Sequence, residues 1–187
     1  LNRSLILGSY GFLLPHKGIL ENIQALPEIK KKYPDVLYIV CCAMHEAQES
    51  RNYYETCQAF VKKHGLEPNV VFVTDFLPLE ESMVLLQACH VLLMTYLPTE
   101  ESASGAVRFC VAAQRPLITS KQKIFEEFKD CTLQVEQVTP RNIAEAVFKV
   151  LCTDQTQVLK RMKEHSEATS WESVAEKFDV LYREASI

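Results

Sequence analysis

At 187 residues, with 48% hydrophobic and 24% charged side chains, the chain is long enough for one domain with a real core and cramped for two. A formal net charge of −4 argues against a general nucleic-acid or anionic-membrane surface, since both partners need clustered cations, although a local basic site is compatible with it. Seven cysteines, an odd number without C-x-x-C spacing, read as buried reduced thiols, with Cys41, Cys89, Cys110 and Cys152 inside apolar segments; this fits a reducing compartment and a cytoplasmic location. No run approaches the roughly 18 apolar residues of a membrane span, and no signal peptide is recognisable. The chain starts at Leu1 rather than Met and so reads as a fragment of a longer protein.

In chain order, Ser4 to Gly8 is a short apolar strand ending in glycine, and Lys17 to Tyr33 carries Ile19, Ile23, Leu26 and Ile29 at helical spacing. Pro34-Asp35 breaks that helix, and Val36 to Cys42 is a continuous apolar run of the kind found in a buried parallel strand. Glu46 to His64 is helical, stopped at Gly65, and Val70 to Thr74 is the third strand. Leu79 to Ala88 and His90 to Met94 repeat helix and strand, as do Gly105 to Ala113 and Pro116 to Thr119. A turn over Gln122 to Phe128 leads to the strand Thr132 to Val135 and the amphipathic helix Pro140 to Leu151. Residues 152–169 read as a polar segment, and 170–185 as a terminal docking helix, with Ser170 as N-cap and Trp171, Val174, Phe178 and Leu181 on one stripe.

This alternation predicts an α/β fold: one doubly wound, Rossmann-like, mostly parallel six-stranded sheet with helices on both faces, spanning 1–187 as a single domain. Ligands of such sheets bind at the carboxyl ends of the strands, which places loops 9–18, 43–48, 75–78 and 95–104 on one rim. The stretch Pro98 to Ser120 organises that rim. It holds an acidic pair, Glu100-Glu101, then small residues Ala103, Ser104 and Gly105 at a helix start, where unpaired N–H groups attract anions.

Three stretches together resemble the C-terminal domain of retaining GT-B-fold glycosyltransferases, which use nucleotide-sugar donors. They are Leu14-Pro-His-Lys-Gly18, the segment Val70 to Ser120 with Phe76-Leu-Pro-Leu-Glu-Glu81 and Ala112-Ala-Gln-Arg-Pro116, and the helix from Ser170-Trp171 to Leu181-Tyr182-Arg183. The resemblance implies half of a GT-B fold. It implies a nucleotide diphosphate sugar as donor substrate and no metal cofactor, and it implies an N-terminal acceptor domain of the same protein, without which the fragment transfers nothing. Surface-polysaccharide biosynthesis is the associated setting, and peripheral membrane contact by the full-length protein is compatible with it.

Transfer from a nucleotide diphosphate develops negative charge on the departing phosphate, so cations or oriented N–H dipoles are needed there. By resemblance Lys17 is the phosphate lysine; otherwise it is a solvated lysine at a helix start. An arginine usually precedes it by five residues, where this chain has Phe12. Arg108, the only charge in an apolar helix that reads as nearly buried all round, is the candidate replacement, against an arginine snorkelling at the helix edge. Glu101 matches the first glutamate of the family's paired motif, beside the transferred carbon, with Glu100 as the competing register and a solvated acidic loop as the bland reading. The N–H groups of Ala103, Ser104 and Gly105 would face sugar or phosphate. The second glutamate, on the ribose, falls at Phe109. Phe76 and His45 would border the base, although a core ring and an exposed loop histidine are the plainer readings. His16 carries little signal beside Lys17, and His90 reads as structural.

Two further functions stay open. One is a degenerate, non-catalytic binding or interaction domain, for which Phe12 and Phe109 speak. The other is a different α/β enzyme, such as a sugar-phosphate synthase or phosphorylase-like protein, because fold alone does not assign function.

Overall fold

The computed structural model describes residues 4–185. Strand β1 (Ile6–Phe12) is followed by α1 (Ile19–Lys30), β2 (Leu37–Ala43), α2 (Gln48–Lys63), β3 (Val70–Val73), α3 (Leu79–Gln87) and β4 (Val91–Met94). Then come α4 (Gly105–Ala112), β5 (Leu117–Ser120), β6 (Leu133–Val135), α5 (Pro140–Cys152), α6 (Thr156–Ala168) and α7 (Trp171–Ala185). The six strands form one sheet in the order β3-β2-β1-β4-β5-β6, and every pairing is parallel. The doubly wound architecture is therefore present.

Burial on both faces explains why the strands read as unbroken apolar runs: all of β2 is buried, and its side chains alternate between two cores. Tyr38, Val40 and Cys42 join Ile23, Leu26 and Val147 on one face. Leu37, Ile39 and Cys41 join Leu92, Cys110, Phe125 and Met162 on the other. The winding changes direction between β1 and β4, which are neighbours in the sheet but lie at opposite ends of the first half of the chain. Loops leaving such adjacent strands diverge and open a crevice.

Three elements differ from the sequence reading. Strand β1 does not stop at Gly8 but runs to Phe12, because Gly8 lies against α3's C-terminal side; a Cβ there would fall 2.5 Å from Cys89 Sγ. The segment read as polar contains α6, a surface helix whose one buried residue is Met162. Helix α7 forms, with the Ser170 hydroxyl accepting the Ser173 N–H at 3.2 Å, yet no described surface covers its stripe: it buries no residue, and Trp171 is 86% exposed. Of the seven cysteines, all free, Cys152 is exposed rather than buried.

Candidate functional site

Lys17 ends a tight turn, Pro15–Lys17, that leaves β1 and enters α1 through Gly18. Gly18 has φ +69, and a Cβ on it would stand 2.0 Å from the Thr95 carbonyl oxygen, so only glycine lets this turn settle on the end of β4. The Leu97 N–H donates to His16 O at 2.8 Å and fastens the turn to the loop after β4. Beneath lies a closed polar chain. Thr95 Oγ1 donates to Asn22 Oδ1 at 2.7 Å, Asn22 Nδ2 donates to Tyr38 Oη at 3.1 Å, Tyr38 Oη and Ser9 Oγ are 2.7 Å apart, and Ser9 donates to Leu93 O at 2.6 Å. Every side chain in it is buried and paired, which fixes β1, β2, β4 and α1 relative to one another.

That scaffold brings Lys17 to Glu101, on the loop between β4 and α4. Lys17 Nζ donates to Glu101 Oε2 at 2.8 Å, and His16 Nε2 lies 3.0 Å from Oε1 of the same carboxylate. The ammonium also sits 4.1 Å from the centre of the buried Tyr96 ring, a cation–π contact. Partial burial raises the Glu101 pKa, but the Lys17 hydrogen bond, the Lys17 charge and His16 outweigh it, and the carboxyl is held below its ordinary value.

Helix α4 begins beside this pair. Ser104 is its N-cap, with Oγ accepting the Val107 N–H at 3.4 Å and lying 3.2 Å from Tyr96 Oη. Gly105 meets nothing where its Cβ would be, so its open side faces space rather than protein. The result is a cleft of about 360 Å³ into which Lys17, Glu101, Ala103, Ser104 and Gly105 all reach. Its remaining wall is largely apolar, with Tyr10, Phe12, Leu77 and Phe109 among its members, and Tyr10 and Phe109 are 5.5 Å apart.

Arg108 does not join the cleft. Helix α4 is exposed along its outer side, and there the guanidinium Nη2 bonds both oxygens of Glu127, at 2.9 and 3.0 Å, while lying 5.6 Å from the Phe128 ring. The expected second phosphate cation is thus absent from this arrangement, because the helix is not buried all round. Phe76 is not a core ring: it stands 80% exposed on the rim, 6.3 Å from Phe12, whose ring meets His45 edge-on at 5.4 Å. His90 has the structural part expected of it, with Nδ1 accepting the Ile6 N–H at 2.9 Å. Sequence reasoning set His16 aside beside Lys17 and passed over Tyr96, Tyr10 and Ser82; an aromatic residue two positions after the apolar run of β4 was a usable signal for Tyr96 alone. Cys41 is also in the wall, but burial raises its thiol pKa, which keeps it protonated and unreactive. Among the described residues, no three His, Cys, Asp or Glu side chains gather as metal ligands, and no helix is long and apolar enough to cross a membrane.

A parallel sheet whose two central strands open onto a cleft with a lysine, a carboxylate and a helix N-terminus defines a Rossmann-like α/β domain, its cleft lying where sheets of this class hold their ligands. The chain belongs to the glycosyl transferases group 1 family, whose model matches residues 4–153. No curated protein matches it in sequence. Among solved structures it is similar to the C-terminal domain of a glycosyl transferase group 1 family protein from Francisella tularensis, at 17% identity and a TM-score of 0.75 over 89% of this chain and 86% of that one. It is also similar to a glycosyltransferase from Rickettsia africae (14% identity, TM-score 0.80, 98% of this chain and 48% of that one). A third likeness is to an α,α-trehalose-phosphate synthase from Burkholderia xenovorans (15% identity, TM-score 0.78, 98% and 44%). The chain thus spans most of the first and less than half of the other two. At these identities the likeness is one of fold, that of the C-terminal half of GT-B enzymes.

Proposed function

We propose that this chain is the donor-binding half of a retaining glycosyltransferase that moves a sugar from a nucleotide diphosphate sugar to an acceptor. The observation that carries the reading is the meeting of Lys17 and Glu101, 84 residues apart in sequence and 2.8 Å apart in space, at the N-terminus of α4. Lys17 and the free N–H groups at that terminus would hold the diphosphate and stabilise the charge that develops on it as the glycosidic bond breaks. Glu101 would face the sugar. The acceptor would be held by an N-terminal domain of the same protein, so this half alone binds donor and transfers nothing.

Thermal melts with UDP and GDP at millimolar concentration test the reading. Ligand at about 100 times its Kd stabilises the fold by about 2.7 kcal/mol, which is a readily measured rise in Tm. If neither raises Tm, and ADP and dTDP do not raise it either, the donor site is refuted. A second reading, a non-catalytic binding domain on the same scaffold, is favoured by the Phe12 and Phe109 rings in the cleft, where the family resemblance implies charged side chains. Transfer that survives Lys17→Ala or Glu101→Ala in the full-length protein would decide for it.

A further inference from the structure

Ser82 lies near the start of α3, is 1% exposed, and forms part of the cleft wall together with Cys41, Ala43, Leu77 and Phe109. Its hydroxyl has no hydrogen-bond partner among the described residues. A helical serine commonly bonds the carbonyl four residues back. Here Pro78 O takes the Ser82 N–H at 3.0 Å and receives nothing from the side chain. A buried hydroxyl without a partner destabilises the protein that carries it, and alanine would fill nearly the same space without that cost.

The other polar side chains of the cleft wall are differently placed. Lys17 and Glu101 hold each other, Ser104 caps α4, and Asp75 stands exposed on the rim. Ser82 is therefore the buried lining side chain with unused hydrogen-bonding capacity. A site whose buried polar group is completed only by its ligand discriminates strongly for ligands that complete it.

We propose that Ser82 reads the nucleoside of the donor, exchanging a hydrogen bond with a ribose hydroxyl or a polar edge of the base. This rests on the donor reading above. With phosphate at Lys17 and the α4 N-terminus, and sugar at Glu101, the nucleoside meets the apolar wall of Tyr10, Leu77 and Phe109, against which its flat faces pack. The Ser82 hydroxyl has no protein bond to give up and turns about a single side-chain torsion to meet it. A glutamate at position 109 is then unnecessary for polar recognition of the nucleoside.

The test is calorimetric titration of the chain with inorganic pyrophosphate and with UDP, GDP, ADP and dTDP, in wild type, Ser82→Ala and Lys17→Ala, each with its ligand-free Tm. Wild type is expected to bind at least one nucleoside diphosphate more tightly than pyrophosphate. Ser82→Ala is expected to weaken that nucleotide about 3- to 10-fold, to leave pyrophosphate unchanged, and to melt at or above the wild-type temperature. Lys17→Ala should weaken both. If Ser82→Ala binds the nucleotide as wild type does, weakens pyrophosphate equally, or lowers Tm, the Ser82 assignment is overturned while the phosphate site stands. If wild type prefers no nucleotide over pyrophosphate, it falls likewise, and a free phosphate compound becomes the ligand. Absence of all binding removes the donor reading and this inference with it.

Discussion

Lys17 Nζ lies 2.8 Å from Glu101 Oε2, and the Lys17 side chain is only 11% exposed. The ammonium is held between this carboxylate and the Tyr96 ring, so an arriving anion must share or displace Glu101. On the donor reading proposed above, Glu101 fills the place of an anionic ligand group. Glu101→Gln should therefore tighten inorganic pyrophosphate, by up to about fivefold, since a partly exposed ion pair is worth up to ~1 kcal/mol. The gain in affinity that a donor's sugar adds to its nucleoside diphosphate should shrink in the same variant. Calorimetric Kd values check both; weaker pyrophosphate binding would mean that Glu101 positions Lys17 instead of competing with its ligand.

The same pair sets a pH dependence. Burial alone would raise the Glu101 pKa, but the Lys17 hydrogen bond and charge, together with His16, outweigh it and hold the carboxyl below its ordinary value. A carboxyl with a depressed folded pKa binds protons less readily than in the unfolded chain, so its stabilisation is present above the unfolded pKa and is lost as pH falls through the folded one. With Glu101 38% exposed, solvent screening keeps this contribution below about 1 kcal/mol. Melts of wild type and Glu101→Gln from about pH 3 to about pH 7 should differ at the upper end, by roughly 2–4 °C or less, and converge at the lower. A difference independent of pH would exclude the ion pair as its source.

What could be read from sequence follows from how far each signal extends along the chain. Central strands buried on both faces, β2, β4 and β5 above all, write themselves as apolar runs, and the part-exposed edge strands β3 and β6 keep enough of that pattern to be read as well; Lys17 was singled out by the resemblance of Leu14-Pro-His-Lys-Gly18, its position alone leaving it even with a solvated lysine. Arg108 misled because its partner, Glu127, lies 19 residues away in the helical stretch Lys123–Phe128, and nothing local announces that pairing. The bond between His16 and Glu101 spans 85 positions and is equally silent. Helix α6 was missed because a surface helix with one buried residue carries mostly charge, here organised as i,i+4 pairs such as Lys160–Glu164 and Lys163–Glu167. The unused hydroxyl of Ser82 is a fact of packing, and a serine in a helix looks the same in sequence whether it is paired or not.

Tyr38→Phe tests the scaffold under the site. Ser9 spends its proton on Leu93 O, so Tyr38 donates to Ser9 and accepts from Asn22. Removing the phenol oxygen leaves the Asn22 amide buried without its acceptor, at a cost of about 1–3 kcal/mol. Urea unfolding should show the loss in the midpoint with the slope unchanged. The direction is opposite to that expected for Ser82→Ala: one buried hydroxyl is paired and the other is not. Unaltered stability would show that the network adds nothing to the fold.

Helix α7 is the last test. It buries no residue, and Trp171, Phe178 and Tyr182 are all exposed. Trp171 and Val174 border a second, mostly apolar cleft of about 690 Å³, on the Arg108 side of α4 and away from Lys17 and Glu101. Removing residues 171–187 should therefore lower stability by no more than about 1 kcal/mol, or roughly 2–4 °C in Tm, and leave pyrophosphate binding as it was. The intact chain's single tryptophan should fluoresce as a water-exposed indole. A drop in Tm well beyond that range, or a blue-shifted emission, would show that the apolar stripe of α7 is covered in solution by a surface of the same chain.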